Sequence, residues 1–349
     1  MSTMLINAAA MPTKRLAPAL PWLAALALLA SAMQAAAAEP GNVFTSGIRL
    51  QDEIVVVNVR NVCGSCDPER LRNGVAVEDY AVTDDTGHRS WRQSDLASFL
   101  AFDASVPTVI FVHGNQITPG DAKCEGLSVY RRMILNGADS PRIRFVIFSW
   151  PSSKVGGLLQ DVRIKAARTG PAGCQLAWLV DQLPVETPVS FVGFSFGARI
   201  ITGSLHILGG GSLGGSCHLG ERVHPDRPQM SVILMASALH SYWLGDNQYH
   251  GRAMTQVSRL CLINNSQDPA MKYYDFIEPG RGGPQALGYC GPTRISRENA
   301  KKIVNRDVSC YVGNEHDLIR YLCAPGDAGL IWDYTAGSAF VVEKKVSIN

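Results

Sequence analysis

Apolar and polar positions alternate along this chain in blocks, and short β-branched runs are followed by helical patterns. Ile54 to Val62 (IVVVNVRNV) reads as a strand, and Ala76 to Val82 as a second, weaker one. Thr108 to Val112 (TVIFV), Ile143 to Phe148 (IRFVIF) and Val189 to Phe194 (VSFVGF) are nearly continuous apolar runs, the mark of strands buried on both faces. Ser231 to Ala236, Arg259 to Asn264 and Asp307 to Val312 complete eight expected strands. Between them, Asp95 to Phe102 behind the N-cap Ser94, Cys174 to Leu183, and Phe196 to Leu208 carry helical periodicity, the last closed by Gly209-Gly210-Gly211. Strands alternating with helices imply a mostly parallel sheet covered on both faces. The Gly-rich stretches 209–216 and 279–291 read as surface connections.

The N-terminus departs from this pattern. Lys14 and Arg15 are the only charges before Glu39, and Leu16 to Ala38 is an uncharged, Leu/Ala-rich stretch ending in Ala36-Ala37-Ala38. That is the layout of an export signal, so residues 1–38 are read as a signal peptide and 39–349 as a single domain. An uncleaved membrane anchor is the rival reading, because the stretch is long enough to span a bilayer. Pro18, Pro21 and Gln34 weaken it. Export, periplasmic or secreted, also accounts for nine cysteines, since disulfides persist in oxidising compartments. An odd count leaves at least one unpaired unless it bridges chains; Cys261, inside an apolar run, is the candidate buried free thiol. Cys63-x-x-Cys66 has no second pair at zinc-finger spacing and reads as part of one or two disulfides.

The 349 residues carry 32 Lys and Arg against 30 Asp and Glu. Without Lys14 and Arg15 the formal charge is zero, so nucleic acid is not an expected partner. With 46% apolar residues the chain can bury a sizeable core, which excludes disorder.

Chemistry enters at Gly193-Phe194-Ser195-Phe196-Gly197, a G-x-S-x-G run with a strand before it and a helix after it. In that setting the serine sits on a sharp turn that lifts its oxygen above the sheet edge. A second match, Gly210 to Gly214 around Ser212, follows a finished helix and reads as a loop. Directly after the third strand come His113-Gly114-Asn115. An oxyanion hole needs two backbone N–H groups aimed at one point; Phe196 supplies one and Asn115, or its neighbour Gln116, the other. His113, at the end of a buried strand, is read as structural. Hydrolases with this elbow run in the order Ser, acid, His. Asp268 follows the seventh expected strand and His316 the eighth, both at strand ends where catalytic groups collect. Asp246 and Asp275 are the runner-up acids.

With these residues in view the chain resembles the α/β-hydrolase superfamily, in particular bacterial esterase- and lipase-like serine hydrolases. The resemblance is carried by FVHGN (111–115), FSWPS (148–152), GFSFGAR (193–199), NSQDPAMKY (265–273) and GNEHDLIRY (313–321). It implies an eight-stranded, mostly parallel sheet with an antiparallel second strand, helices on both faces and no large cap. It also implies a Ser195–His316–Asp268 triad, with Gly193 and Gly197 as elbow glycines and Asn115 and Phe196 at the oxyanion hole. Phe196 departs from the Met, Gly or Gln of many lipases, and its ring is expected to narrow the acyl pocket. Trp150, Phe194, Tyr242 and Trp243 are further candidate pocket walls.

The expected activity is carboxylic-ester hydrolysis through an acyl-enzyme, with no metal and no cofactor, on a small-molecule or lipid ester. An amidase or peptidase on the same triad, and a non-catalytic binding protein on the same fold, are the alternatives. A membrane is an expected partner only if the leader remains as an anchor.

Overall fold

The computed structural model describes residues 47–62, 64–84, 88–137, 140–214, 219, 226–276 and 285–336. The leader read in 1–38, and with it the choice between cleavage and anchoring, lies outside the described residues, as do Cys63 and Cys217. Among the described residues no helix is long and apolar enough to cross a membrane, and no group of three His, Cys, Asp or Glu side chains could hold a metal ion.

Nine strands form one sheet: β1 (Glu53–Asn58), β2 (Ala76–Val82), β3 (Arg89–Ser94), β4 (Thr108–Val112), β5 (Arg144–Ser149), β6 (Val189–Phe194), β7 (Met230–Met235), β8 (Val257–Asn264) and β9 (Ile303–Asp307). Their spatial order is β3-β2-β1-β5-β4-β6-β7-β8-β9. Only β2 runs antiparallel to its neighbours β1 and β3; all other pairs are parallel. The side chains of each central strand alternate between two cores. Val55, Val57, Ile110, Val112 and Phe148 face one. Ile54, Val56, Val109, Phe111 and Ile147 face the other. Both faces are therefore apolar, which is why these strands lack polar alternation.

Three long helices cover the faces: α1 (Pro119–Ile134), α2 (Leu158–Gln182) and α3 (Phe196–Leu208). α2 and α3 share the first core, through Leu176, Leu179, Ile200 and Ile201 among others. α1 packs on the second with the C-terminal helix Asp327–Tyr334, through Val129, Tyr130, Met133 and Ile331. Thr118 starts α1 with a reciprocal capping box to Asp121. Beyond β7 and β8 the described connections hold only single-turn helices and 3-10 turns.

Three sequence expectations are corrected. The sheet has nine strands, not eight: β3 (RSWRQS) is a polar edge strand, and its pairing with β2 through Tyr80 and Trp91 leaves no periodic apolar signal. The last strand is β9 at 303–307, not 307–312. Val308 and Val312 are buried one helical turn apart, at the N-cap and the last residue of the short helix Ser309–Val312, so their apolar spacing is helical. The Asp307 carboxylate accepts from the Ser309 N–H at 2.8 Å and turns the chain out of the strand. Finally, α2 begins sixteen residues before Cys174 and runs without interruption through Gly170 and Pro171.

Cys261 is a buried free thiol, as expected, but Cys124, Cys290, Cys310 and Cys323 are free thiols as well, more than an odd count alone requires, while Cys174 is held in a disulfide.

Candidate active site

β6 delivers the chain into Ser195, whose backbone adopts φ 53° and ψ −118°, a conformation that L side chains rarely take. Two glycines make the turn possible. A Cβ on Gly197 would stand 2.0 Å from the Val112 carbonyl oxygen, and one on Gly193 would stand 2.6 Å from Ile201 Cδ1 and 3.0 Å from the Ala198 nitrogen. Backbone thus meets backbone where β4 ends and α3 begins. The Ser195 N–H donates to the Met235 carbonyl at 2.9 Å, tying the turn to β7.

Asp268 follows β8 and caps the short helix Pro269–Lys272. Its Oδ1 accepts from the N–H groups of Ala270 (2.8 Å) and Met271 (3.3 Å). Its Oδ2 faces His316 Nδ1 at 2.6 Å, and His316 Nε2 lies 3.0 Å from Ser195 Oγ. A carboxylate only accepts, so Nδ1 carries the proton and Nε2 is left to accept from the serine hydroxyl. All three residues are buried. Burial, the largest single influence, pushes the His316 imidazole down. The charge and hydrogen bond of Asp268, with the charge of Asp317, outweigh it and leave the group above its ordinary 6.5.

The loop after β4 lies against Ser195: a Cβ on Gly114 would be 3.4 Å from Ser195 Cβ. Phe196 is the first residue of α3, so its N–H has no carbonyl partner within the helix. Asn115 and Gln116 follow Gly114, and Gln116 has a left-handed φ of 59°. His113 is fully buried. Its Nδ1 bonds the Gly114 carbonyl at 3.0 Å, and Trp150 Nε1 donates to its carbonyl at 2.9 Å. Burial drives its imidazole down to about 3, so the ring is neutral and packs as structure.

The runner-up acids lie elsewhere. Asp246 is exposed and meets Asn299, and Asp275 pairs with His240 at 3.5 Å. Ser212 sits past the end of α3. Of the candidate wall aromatics, Phe194 stacks obliquely on His316, with ring centroids 5.1 Å apart. Trp150 and Phe196 pack edge-on in the core, and Trp243 lies among Tyr249, His240 and His250.

Residues that sequence reading passed over complete the site. Tyr321 donates its buried hydroxyl to Asp268 Oδ2 at 3.2 Å. Asn265 donates to the Gly313 carbonyl at 2.7 Å and so ties the loop carrying Asp268 to the loop carrying His316. Asp161, in the first turns of α2, accepts from the side chains of Asn115 and Gln116. Both Asn265 and Tyr321 fall inside quoted motif stretches, but nothing in the sequence marks their contacts.

The sheet order, the antiparallel second strand and the serine elbow between β6 and α3 define an α/β-hydrolase fold. No family model and no curated protein matches the chain. Among solved structures it is similar to esterase B from Lactobacillus rhamnosis, with TM-score 0.38 and 13% identity over 92% of this chain and 97% of that one. The catalytic core domain of acetyl xylan esterase from Trichoderma reesei gives TM-score 0.34 and 13% identity over 66% and 92%. A cutinase-like protein from Cryptococcus sp. gives TM-score 0.29 and 12% identity over 65% and 91%.

Proposed function

We propose that this chain is an exported serine hydrolase that cleaves carboxylic esters through an acyl-enzyme on Ser195. The observation that carries the reading is the unbroken relay from Ser195 Oγ to His316 Nε2 (3.0 Å) and from His316 Nδ1 to Asp268 Oδ2 (2.6 Å). In the first half-reaction Ser195 Oγ attacks the acyl carbon and its proton passes to His316 Nε2. Asp268 fixes the tautomer and stabilises the imidazolium without taking the proton itself. The N–H groups of Phe196 and Asn115 receive the negative charge that develops on the carbonyl oxygen. Collapse of the tetrahedral species returns the proton from Nε2 to the leaving alcohol. Water then repeats the sequence and releases the acid. The leader read in residues 1–38 supplies the export half of the proposal.

The pH profile follows from His316. Only the neutral imidazole accepts the serine proton, and its folded titration point lies above 6.5. Turnover of p-nitrophenyl esters is therefore expected to fall about tenfold per pH unit on the acid side, with a midpoint above ~6.5. Stability runs the other way. A group whose folded pKa is raised contributes stability that is fully present below its unfolded value and is lost as pH rises through the folded one. The enzyme should thus gain activity and lose this increment of stability over the same window. Turnover that stays flat down to pH 4 would exclude a histidine base. An anilide assayed beside the esters separates ester from amide cleavage: the proposal expects the ester to be turned over and the anilide to be poor.

A further inference from the structure

The oxyanion loop is held from outside the relay. The Asp161 side chain, wholly buried, spends both oxygens on neighbouring walls of the site. Oδ1 accepts from Lys165 Nζ at 2.7 Å and from the Val155 N–H at 2.6 Å. Oδ2 accepts from Asn115 Nδ2 at 3.0 Å and Gln116 Nε2 at 3.3 Å. One carboxylate therefore joins α2, the loop after β5 and the two residues that follow Gly114.

Two features of the loop are otherwise costly. Gln116 holds a left-handed φ without being glycine. Asn115 Oδ1 is buried with no hydrogen-bond partner. Both make sense if an ionised carboxylate fixes the orientation of the two amides. Flipping Asn115 to satisfy its oxygen elsewhere would turn that oxygen against a negative charge. The ionised state has its own support. Burial pushes the Asp161 carboxyl up, but the bonds from Lys165, Val155 and Asn115 outweigh it and hold the group below the ordinary carboxylate range. Lys165 is equally buried and is its only cation within salt-bridge reach among the described residues.

We infer that Asp161, charge-paired with Lys165, is a positioning residue that aims the Asn115–Gln116 backbone at the oxyanion. It touches no reacting atom and acts through the loop. The inference rests on the reading of Ser195 as nucleophile and goes beyond it, because nothing in the relay itself calls for a buried ion pair on α2.

Asp161→Asn is the discriminating variant. Its remaining oxygen can still serve Lys165 and Val155, but the charge that orients the two amides is gone, so Asn115 and Gln116 can turn their own oxygens toward the new N–H groups and the loop loses its fixed aim. The expected loss in kcat is about 10²-fold, with KM within about threefold, because misaimed N–H groups act only on the charged transition state. A trifluoromethyl ketone provides a second readout. Ser195 Oγ adds to its carbonyl carbon, the hydroxyl proton moves to His316 Nε2, and the former carbonyl oxygen becomes an oxyanion that draws on the same N–H groups. Its affinity should weaken by the same factor as kcat, which general loosening of the fold would not produce. A folded Asp161→Asn with kcat and ketone affinity within threefold of wild type overturns the inference. If that variant does not fold, Asn115→Ala decides. It keeps the loop N–H and the ion pair and cuts the stronger tether, so a parallel fall of about tenfold in both readouts supports the inference, and unchanged values overturn it. The underlying reading is tested separately by fluorophosphonate labelling of wild type. No adduct removes that reading, whereas an adduct on Ser195 with an unaffected Asp161→Asn removes this inference alone.

Discussion

Ser195→Ala should abolish ester turnover by a factor on the order of 10⁴ to 10⁶ while leaving the protein folded. The size of the effect follows from the relay acting as a unit: without Oγ the His316 base has nothing to deprotonate but water, and Asp268 has no imidazolium to stabilise. Residual activity would reflect the oxyanion N–H groups and substrate binding alone. The stability side is equally specific. Oγ is a single buried atom on a strained turn, and its removal opens no cavity of consequence. The melting temperature should be unchanged or slightly higher. A variant with full turnover would mean that another nucleophile does the work, with Ser212 the first to test. A variant that fails to fold would mean that the elbow serine is structural.

Gly197→Ala should be the most damaging single methyl group in the site. Its Cβ would stand 2.0 Å from the Val112 carbonyl oxygen, 2.7 Å from the Val112 carbonyl carbon and 2.9 Å from the His113 carbonyl oxygen. These are backbone atoms at the end of a central strand, so no rotamer change relieves the contact. Either α3 or β4 must move, and both carry site residues. The expected cost is about 3 kcal/mol or more, with loss of activity in whatever fraction still folds. Gly193→Ala is the internal control. Its closest contact is the end of the Ile201 side chain, which can yield, although the Ala198 backbone stands at the limit. Thermal unfolding of the two variants side by side should show the larger drop for Gly197→Ala. Equal and small drops would mean that the helix does not sit as close to β4 as the structure has it.

The central strands were legible because burial on both faces leaves an apolar run with little else to read. Thr108–Val112 and Val189–Phe194 coincide residue for residue with β4 and β6. The edges were not. β3 offers one aromatic pair to an otherwise polar strand, and at the far edge the buried pair Val308 and Val312 drew the expected strand past Asp307 into a helical turn. The site divides in the same way. Ser195 announces itself by local turn chemistry, and Asp268 and His316 by their place after strands, so residue type and chain order single out three side chains that the structure brings within hydrogen-bond reach of one another. Even the misplaced last strand left His316 beyond its C-terminal end. Asp161, Asn265 and Tyr321 act through contacts that reach 46, 48 and 53 positions along the chain. An aspartate in the first turn of a helix has an ordinary role there, favoured by the helix dipole, and nothing local marks it as a tether for a loop on another element.

The most direct test of the central claim is exposure of the folded protein to a fluorophosphonate, followed by mapping of the modified peptide. The reagent reacts only with a serine whose hydroxyl is activated by a base and whose oxyanion is received by N–H donors, so it reports the assembled site without any guess at the natural ester. The account expects a single adduct on Ser195, formed faster as pH rises through the titration of His316 and absent from Ser195→Ala. A well-folded wild type that forms no adduct, or one that carries it on a different serine, would contradict it.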